Sequence, residues 1–233
     1  MFQCKYFAIT DLQSSMKVGT DAVVLGAWVE VGKAKCILDV GCGCGIISLL
    51  MAQKTQWYPR VQILGIDMDA HSCQDALTNF TQSPWVDRLR VKTLRFQDLD
   101  RETNYDLIVS NPPFFSHSLH GKDEKRTYAR HNDRLSFEAL CQGVSQRLCT
   151  EGRFCLILPT TEYVNFENAA AQFGLHIYKR TFVSHTIHSK PKRILYELGL
   201  KPKPCEENHC FLYNKGLERS SWYAEMTKDI YIY

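Results

Sequence analysis

The residues with the clearest chemical potential lie in two short stretches, Asp39-Val-Gly-Cys-Gly-Cys-Gly45 and Ser110-Asn-Pro-Pro-Phe-Phe115. In the first, Gly41, Gly43 and Gly45 stand at alternate positions. Such glycines let a backbone turn sharply and approach a ligand where any side chain would collide. A helix after the loop would add unpaired N–H groups and the positive end of its dipole. A nucleotide-type ligand and a bare structural turn both remain open for this loop alone, since a dinucleotide fingerprint is spaced G-x-G-x-x-G. In the second stretch Asn111 supplies an amide, while Pro112 and Pro113 stiffen the backbone and cannot extend a strand. Taken in isolation, Asn-Pro reads first as a stiff turn. Two acids extend the set. Asp67 closes the run VQILGID, where a carboxylate can accept bonds from both hydroxyls of a ribose. Asp98, in FQD, could bond an adenine amino group, with Ile66 and Leu99 flanking the ring.

These positions acquire meaning from the elements that must carry them. Strands are expected over Lys35–Val40, Val61–Asp67, Leu89–Leu94, Tyr105–Ser110, Gly152–Pro159, His176–Val183 and Ile194–Leu200. Helices are expected over Ile46–Gln53, after the strand ending at Asp67 and through about Phe80, over Ser136–Cys149 and over Glu162–Phe173, with Gly174 stopping the last. In Ser136–Cys149 the residues Phe137, Leu140, Val144 and Leu148 recur at helical spacing. Strands alternating with helices predict an α/β fold with a mostly parallel sheet covered on both faces. In such a sheet ligands bind beyond the carboxyl ends of the strands, which is where each candidate residue falls. A single domain over residues 1–233 is expected, with residues 1–34 as an N-terminal extension packed on it.

Once order is considered along with type, the chain resembles the class I S-adenosylmethionine-dependent methyltransferases. DVGCGCG, the acid of GIDMD, the acid of FQDLD and the NPPF tetrapeptide occur in that family's order. The resemblance implies a Rossmann-like, seven-stranded, mostly parallel sheet with helices on both faces. It also implies S-adenosylmethionine as cofactor, with Asp39, Gly41 and Gly43 lining its methionine end, Asp67 its ribose and Asp98 its adenine, and with Gly45 also among the cofactor-binding residues. NPPF implies methylation of an amino group, with Asn111, Pro112, Pro113 and Phe114 as the catalytic corner and Asn111 also beside the cofactor. Met16-Lys-Val-Gly-Thr-Asp21, Arg126-x-x-Ala-Arg130-His131 and the ending Thr227-Lys-Asp-Ile-Tyr231 are similar to the bacterial tRNA1(Val) (adenine(37)-N6)-methyltransferase family, although Ile230 stands where that family's ending carries an aromatic residue. That resemblance implies N6 methylation of an adenine in the tRNA anticodon loop, with Lys17 and Thr20 closing over the cofactor.

The rest of the chain bounds these expectations. The basic stretch from Lys122 to Arg134 follows the catalytic corner, and Lys125, Arg126, Arg130 and His131 are its candidates for RNA phosphates. A solvated loop of mixed charge fits the same composition. Lys190-Pro-Lys-Arg193 is a second basic candidate, read first as a turn before a strand. A net charge of +3 excludes a polyelectrolyte tail and permits a local basic face. The ten cysteines are expected to be reduced, Cys36, Cys141, Cys149 and Cys155 filling small apolar slots. Cys42 and Cys44 are expected to pack within the glycine loop, and Cys205, His209 and Cys210 to lie in a polar hairpin, so no metal is expected. A cytoplasmic, monomeric, non-membrane protein follows. Methylation of a protein glutamine or of an rRNA amino group, or a non-catalytic RNA-binding module on a cofactor fold, are the competing readings.

Overall fold

The computed structural model describes residues 2–14, 16–112 and 135–232. A short hairpin, β1 (Phe2–Gln3) and β2 (Ala8–Ile9), leads to helix α1 (Thr20–Trp28). Alternation then begins with β3 (Cys36–Val40), α2 (Ile46–Lys54), β4 (Gln62–Asp67), α3 (Ala70–Thr81), β5 (Leu89–Thr93) and β6 (Tyr105–Ser110). It continues with α4 (Phe137–Ser145), β7 (Leu148–Pro159), α5 (Tyr163–Gln172), β8 (His176–Thr186), β9 (Arg193–Gly199), β10 (Glu206–Tyr213) and α6 (Ser221–Thr227).

Strands β3 to β10 form one sheet in the order β10-β8-β9-β7-β6-β3-β4-β5. Among the described residues β9 runs antiparallel to both its neighbours, and every other pairing is parallel. From β3 the chain winds outward to β4 and β5, then returns to the far side of β3 as β6. That reversal makes the carboxyl ends of β3 and β6 the topological switch point, where a parallel sheet opens a crevice.

Alternation of side chains along the strands supplies two cores. Ile37, Val109 and Ile157 join the apolar cluster that holds residues of α1, α2 and α6, while Leu38, Ile108 and Leu156 join the one holding α4 and α5. Each of these six is buried, which fixes the register of the strands, since a one-residue slip would turn them to the wrong face. Cys4, Phe7 and Ile9 belong to the first cluster, so the N-terminal segment packs into the same core as α1 and α2.

Two expectations change. Among the described residues the sheet has eight strands where seven were expected, because residues 206–213 form β10, parallel to β8, instead of a polar hairpin. There His209 stacks on Phe182 with ring centroids 4.9 Å apart, and Cys210 pairs in register with Val183. Helix α4 also ends at Ser145, earlier than its apolar period suggested, and Leu148 opens β7 beside Tyr105. Leu148 is buried in either reading, so periodicity alone could not tell the two apart.

Candidate functional site

Strand register decides which loops meet at the switch point. Val40 pairs with Ile66 on one side and with Ser110 on the other, so the residues following all three strands emerge side by side. Ser110 tightens the junction by donating its hydroxyl to the Val40 carbonyl at 2.8 Å. Gly41 and Cys42 N–H groups both donate to the Ile66 carbonyl, at 2.9 and 3.0 Å, which turns the chain across the end of β4. Asn111 and Pro112 therefore begin directly beside Gly41.

The glycine loop is built on left-handed backbone: φ is +71° at Gly41, +54° at Gly43 and +84° at Gly45. The three glycines serve two purposes. Among the described residues a Cβ at Gly41 or Gly43 would meet nothing within 4 Å, whereas one at Gly45 would lie 2.4 Å from a ring carbon of Phe80. The first two thus border open space, and the third lets α2 pack against α3. Cys42 and Cys44 are buried, and burial pushes the Cys44 thiol up to about 12 and Cys42 well above its ordinary value, so both stay protonated. Among the described residues no group of three His, Cys, Asp or Glu side chains is placed to hold a metal ion.

Asp67 organises this loop. One carboxylate oxygen accepts the Gly43 N–H at 2.9 Å and the other accepts the Asp69 N–H at 2.9 Å. Each oxygen keeps a further lone-pair direction for a ligand hydroxyl. Asp39 is fully buried below it. Its Oδ2 accepts from the Ser48 N–H and hydroxyl, at 3.0 and 2.7 Å, and its Oδ1 has no hydrogen-bond partner among the described residues. Burial pushes the Asp39 carboxyl up to about 7, against the Ser48 bonds and aided by the charge of Asp67. Asn111 resembles Asp39 in this respect, with a buried Oδ1 that lacks a partner among the described residues. A buried polar atom without a partner costs about 1–3 kcal/mol, which a bound group would recover.

The remaining candidates divide. Asp98 sits in a 3-10 turn after β5 and is clamped by Arg95, Nε to Oδ2 at 2.8 Å. The carbonyls of Leu99 and Asp100 accept from the buried Arg147, which anchors this turn to α4. Ile66 and Leu99 are buried in the core and so do not flank an open ring site; Met68, half-exposed just after Asp67, is the apolar side chain available there. Lys17 donates to the carbonyls of Asp11 and Leu12, and Thr20 begins α1. Pro113, Phe114, Lys125, Arg126, Arg130 and His131 lie outside the described residues.

Two residues that the apolar pattern did not reveal hold the N-terminal segment over the loop. Asn79 of α3 donates to the carbonyls of both Thr10 and Cys44 at 2.8 Å and accepts from the Thr10 N–H at 2.8 Å. Asp75, one turn earlier, accepts from the Gln13 N–H, the Ser14 N–H and the Ser14 hydroxyl, at 2.8 to 2.9 Å. Both side chains are buried. In the sequence, Ser72, Asp75 and Asn79 form a polar stripe beside the apolar stripe Cys73, Ala76 and Phe80, and a polar stripe of that kind is readily taken for a solvated face.

A doubly wound sheet with a glycine loop at its switch point is a Rossmann-like arrangement, with the ligand crevice at the carboxyl ends of β3 and β6. Solved structures support that fold. A predicted O-methyltransferase from Agrobacterium tumefaciens superposes with a TM-score of 0.69 at 15% identity, covering 92% of this chain and 98% of that one. A ribosomal protein L11 methylase from Lactobacillus delbrueckii superposes with a TM-score of 0.55 at 17% identity, covering 76% of each. The sequence model of the methyltransferase small domain matches residues 13–135. A tRNA1(Val) (adenine(37)-N6)-methyltransferase from Phocaeicola vulgatus is 37% identical over 231 residues, covering 99% of this chain and 97% of the relative. Another of the same name, from Vibrio vulnificus, is 33% identical and covers 99% and 95%. The chain belongs to the methyltransferase small domain family and, within it, to the family of the tRNA1(Val) (adenine(37)-N6)-methyltransferases.

Proposed function

We propose that this chain transfers the methyl group of S-adenosylmethionine to the N6 amino group of an adenine in tRNA, at adenine 37 of tRNA1(Val). One observation carries the reading: the pairing of Val40 with Ser110 brings Asn111 out beside the glycine loop, and its buried Oδ1 has no hydrogen-bond partner among the described residues. The residues present fit the cofactor. Gly41 and Gly43 would let its methionine end approach the backbone, Asp39 Oδ1 would accept from its ammonium, and Asp67 from its ribose hydroxyls. Asp98, beside the exposed Met68, would receive its adenine, and Lys17 and Thr20 would lie on the segment that covers it. When bound, S-adenosylmethionine supplies an electrophilic methyl group on a sulfonium.

The chain's own residues then have two tasks. An exocyclic amine is a poor nucleophile because its lone pair is delocalised into the ring. Asn111 Oδ1 and the Pro112 carbonyl would accept its two N–H bonds and favour a pyramidal nitrogen whose lone pair faces the donor. Proline suits that position because it presents a carbonyl with no competing N–H. Pro113 would stiffen the corner, and Phe114 would stack on the extruded base, worth about 1–3 kcal/mol. Most of the acceleration is positioning, and the proton can leave to water after transfer. An anticodon-loop base costs little to extrude, since it is not held in a duplex.

Lys125, Arg126, Arg130 and His131 would grip phosphates near the corner. The protein would act as a monomer in the cytoplasm, where tRNA is processed; among the described residues no helix is long and apolar enough to cross a membrane. Transfer of a labelled methyl group to unmodified tRNA, with the nucleotide mapped, tests the reading. Label on protein alone would instead favour glutamine methylation.

A further inference from the structure

The far half of the sheet also ends on the side of the switch point. Strand β9 is antiparallel to β7, β8 is antiparallel to β9, and β10 is parallel to β8. Thr186 and Tyr213 therefore finish at the same end of the sheet as Ser110 and Pro159. Two turns leave from there, residues 187–192 after β8 and residues 214–219 after β10. The register pair Tyr213–Thr186 sets their starts side by side.

The first turn is held rigidly. The Thr186 N–H donates to the Ser189 hydroxyl at 2.8 Å, the Ser189 N–H returns to the Thr186 carbonyl at 3.1 Å, and the Lys192 N–H reaches the Val183 carbonyl at 3.0 Å. Thr160, just past β7, donates its N–H to the Lys192 carbonyl and its hydroxyl to the Pro191 carbonyl, at 3.1 and 3.2 Å. A fixed turn loses little further entropy when it binds.

The charges on the two turns separate into spent and unspent. Arg193 is paired with Asp21 at 2.7 Å, and Arg219 lies over the ring of Tyr231 at 4.1 Å. Lys190, Lys192 and Lys215 have no ion pair among the described residues, and Glu218 is the one acid within the turns. Between the lysines stand apolar tips that water does not favour: Ile187 is 63% exposed and Leu217 is 69% exposed. His185, exposed, lies with its ring 5.0 Å from that of Tyr213. Cations for phosphate, alternating with apolar and ring surface for bases, are the chemistry that recognises RNA strands.

Distance selects the size of the partner. Thr186 is three strand spacings from Ser110 and Tyr213 is four, roughly 14 and 19 Å at the usual spacing. A mononucleotide at Asn111 cannot touch this rim, but a folded RNA presenting one base there can. We propose that the paired turns form a docking rim for the RNA substrate, with Lys190, Lys192 and Lys215 holding phosphates and Ile187 packing on a base or ribose. The inference rests on the tRNA reading above and extends the binding surface to the half of the sheet opposite the cofactor.

The test compares the full-length chain with a Lys190→Ala/Lys192→Ala/Lys215→Ala variant and with Ile187→Ala. All four side chains are on exposed turns, so melting temperature and affinity for S-adenosylhomocysteine should not change. The triple variant is expected to raise KM for tRNA about tenfold or more and to flatten the log–log salt dependence by about two, at roughly 0.7 per lost phosphate contact. Ile187→Ala is expected to raise KM for tRNA without altering that slope. Wild-type methylation of tRNA with the same KM and slope in the triple variant overturns the rim. Wild-type label on protein, weakened by the triple variant, would assign these turns to a protein partner and overturn it as well. Failure of the wild type to methylate tRNA at all removes the functional reading first and the rim with it.

Discussion

Gly43 and Gly45 are two residues apart and alike in sequence, yet the same substitution should damage different properties. Gly43→Ala forces an L-residue to φ +54° with its new methyl in open space. The left-handed strain of about 1–2 kcal/mol is partly offset by about 0.4–1 kcal/mol of lost unfolded-chain entropy. A net cost near 1 kcal/mol should lower Tm by about 2–4 °C. The methyl would instead stand where the donor is to be cradled, and a clash worth about 1.4 kcal/mol or more weakens S-adenosylhomocysteine at least about tenfold. Gly45→Ala adds to similar strain a methyl 2.4 Å from Phe80, and overpacking a core costs about 1–3 kcal/mol more. Its total near 3 kcal/mol should lower Tm by about 6–12 °C. Calorimetric melting and titration with S-adenosylhomocysteine measure both quantities. A Gly43→Ala protein that binds the ligand as tightly as wild type would show that the space above Gly43 is not the ligand's, and the cradle assignment would fail.

Further expectations concern the groups around that cradle. Asn79→Ala strands the buried Cys44 carbonyl and Thr10 backbone, and at about 1–3 kcal/mol for each stranded group it should lower Tm by several degrees. It should also raise KM for S-adenosylmethionine more than KM for tRNA; equal rises would reduce Asn79 to a purely structural role. Asp39 titrates higher in the folded chain than its ordinary 3.8, so its protonated form stabilises the fold. That contribution is complete below pH 3.8 and is lost as pH rises through about 7. If a donor ammonium meets Oδ1, binding favours the ionised form, releases a proton and tightens as pH rises through about 7. Asp39→Asn should abolish that trend, and a flat wild-type affinity over the same range would remove Asp39 from the cofactor site.

Much of this arrangement was legible in the residues because it depends on backbone chemistry. Glycines 41, 43 and 45, the acid closing β4 and the Asn-Pro corner closing β6 each announce a strand end, and the strands that carry them are mostly buried and rich in apolar residues. What could not be read depends on tertiary contact. Residues 206–209 of β10 are polar and exposed, because an edge strand has one side open to water and needs no apolar alternation. Asp75 and Asn79 look solvated until a distant N-terminal segment supplies their partners. The two uses of the glycines, Gly41 and Gly43 for open space and Gly45 for Phe80, likewise exist only once α3 is packed. Ile66 shows the converse: beside the acid in sequence, its side chain turns into the core while Met68 faces outward.

Asn111 is proposed to act on the methyl acceptor, beside a donor held mainly by other residues. That role is tested most directly by single-turnover methylation of unmodified tRNA by an Asn111→Ala variant, alongside calorimetric binding of S-adenosylhomocysteine. Loss of one preorganised polar contact to the reacting group should slow transfer about 100- to 1,000-fold. Ligand affinity should move by no more than about threefold, well under 1.4 kcal/mol. Transfer at nearly the wild-type rate would contradict the account.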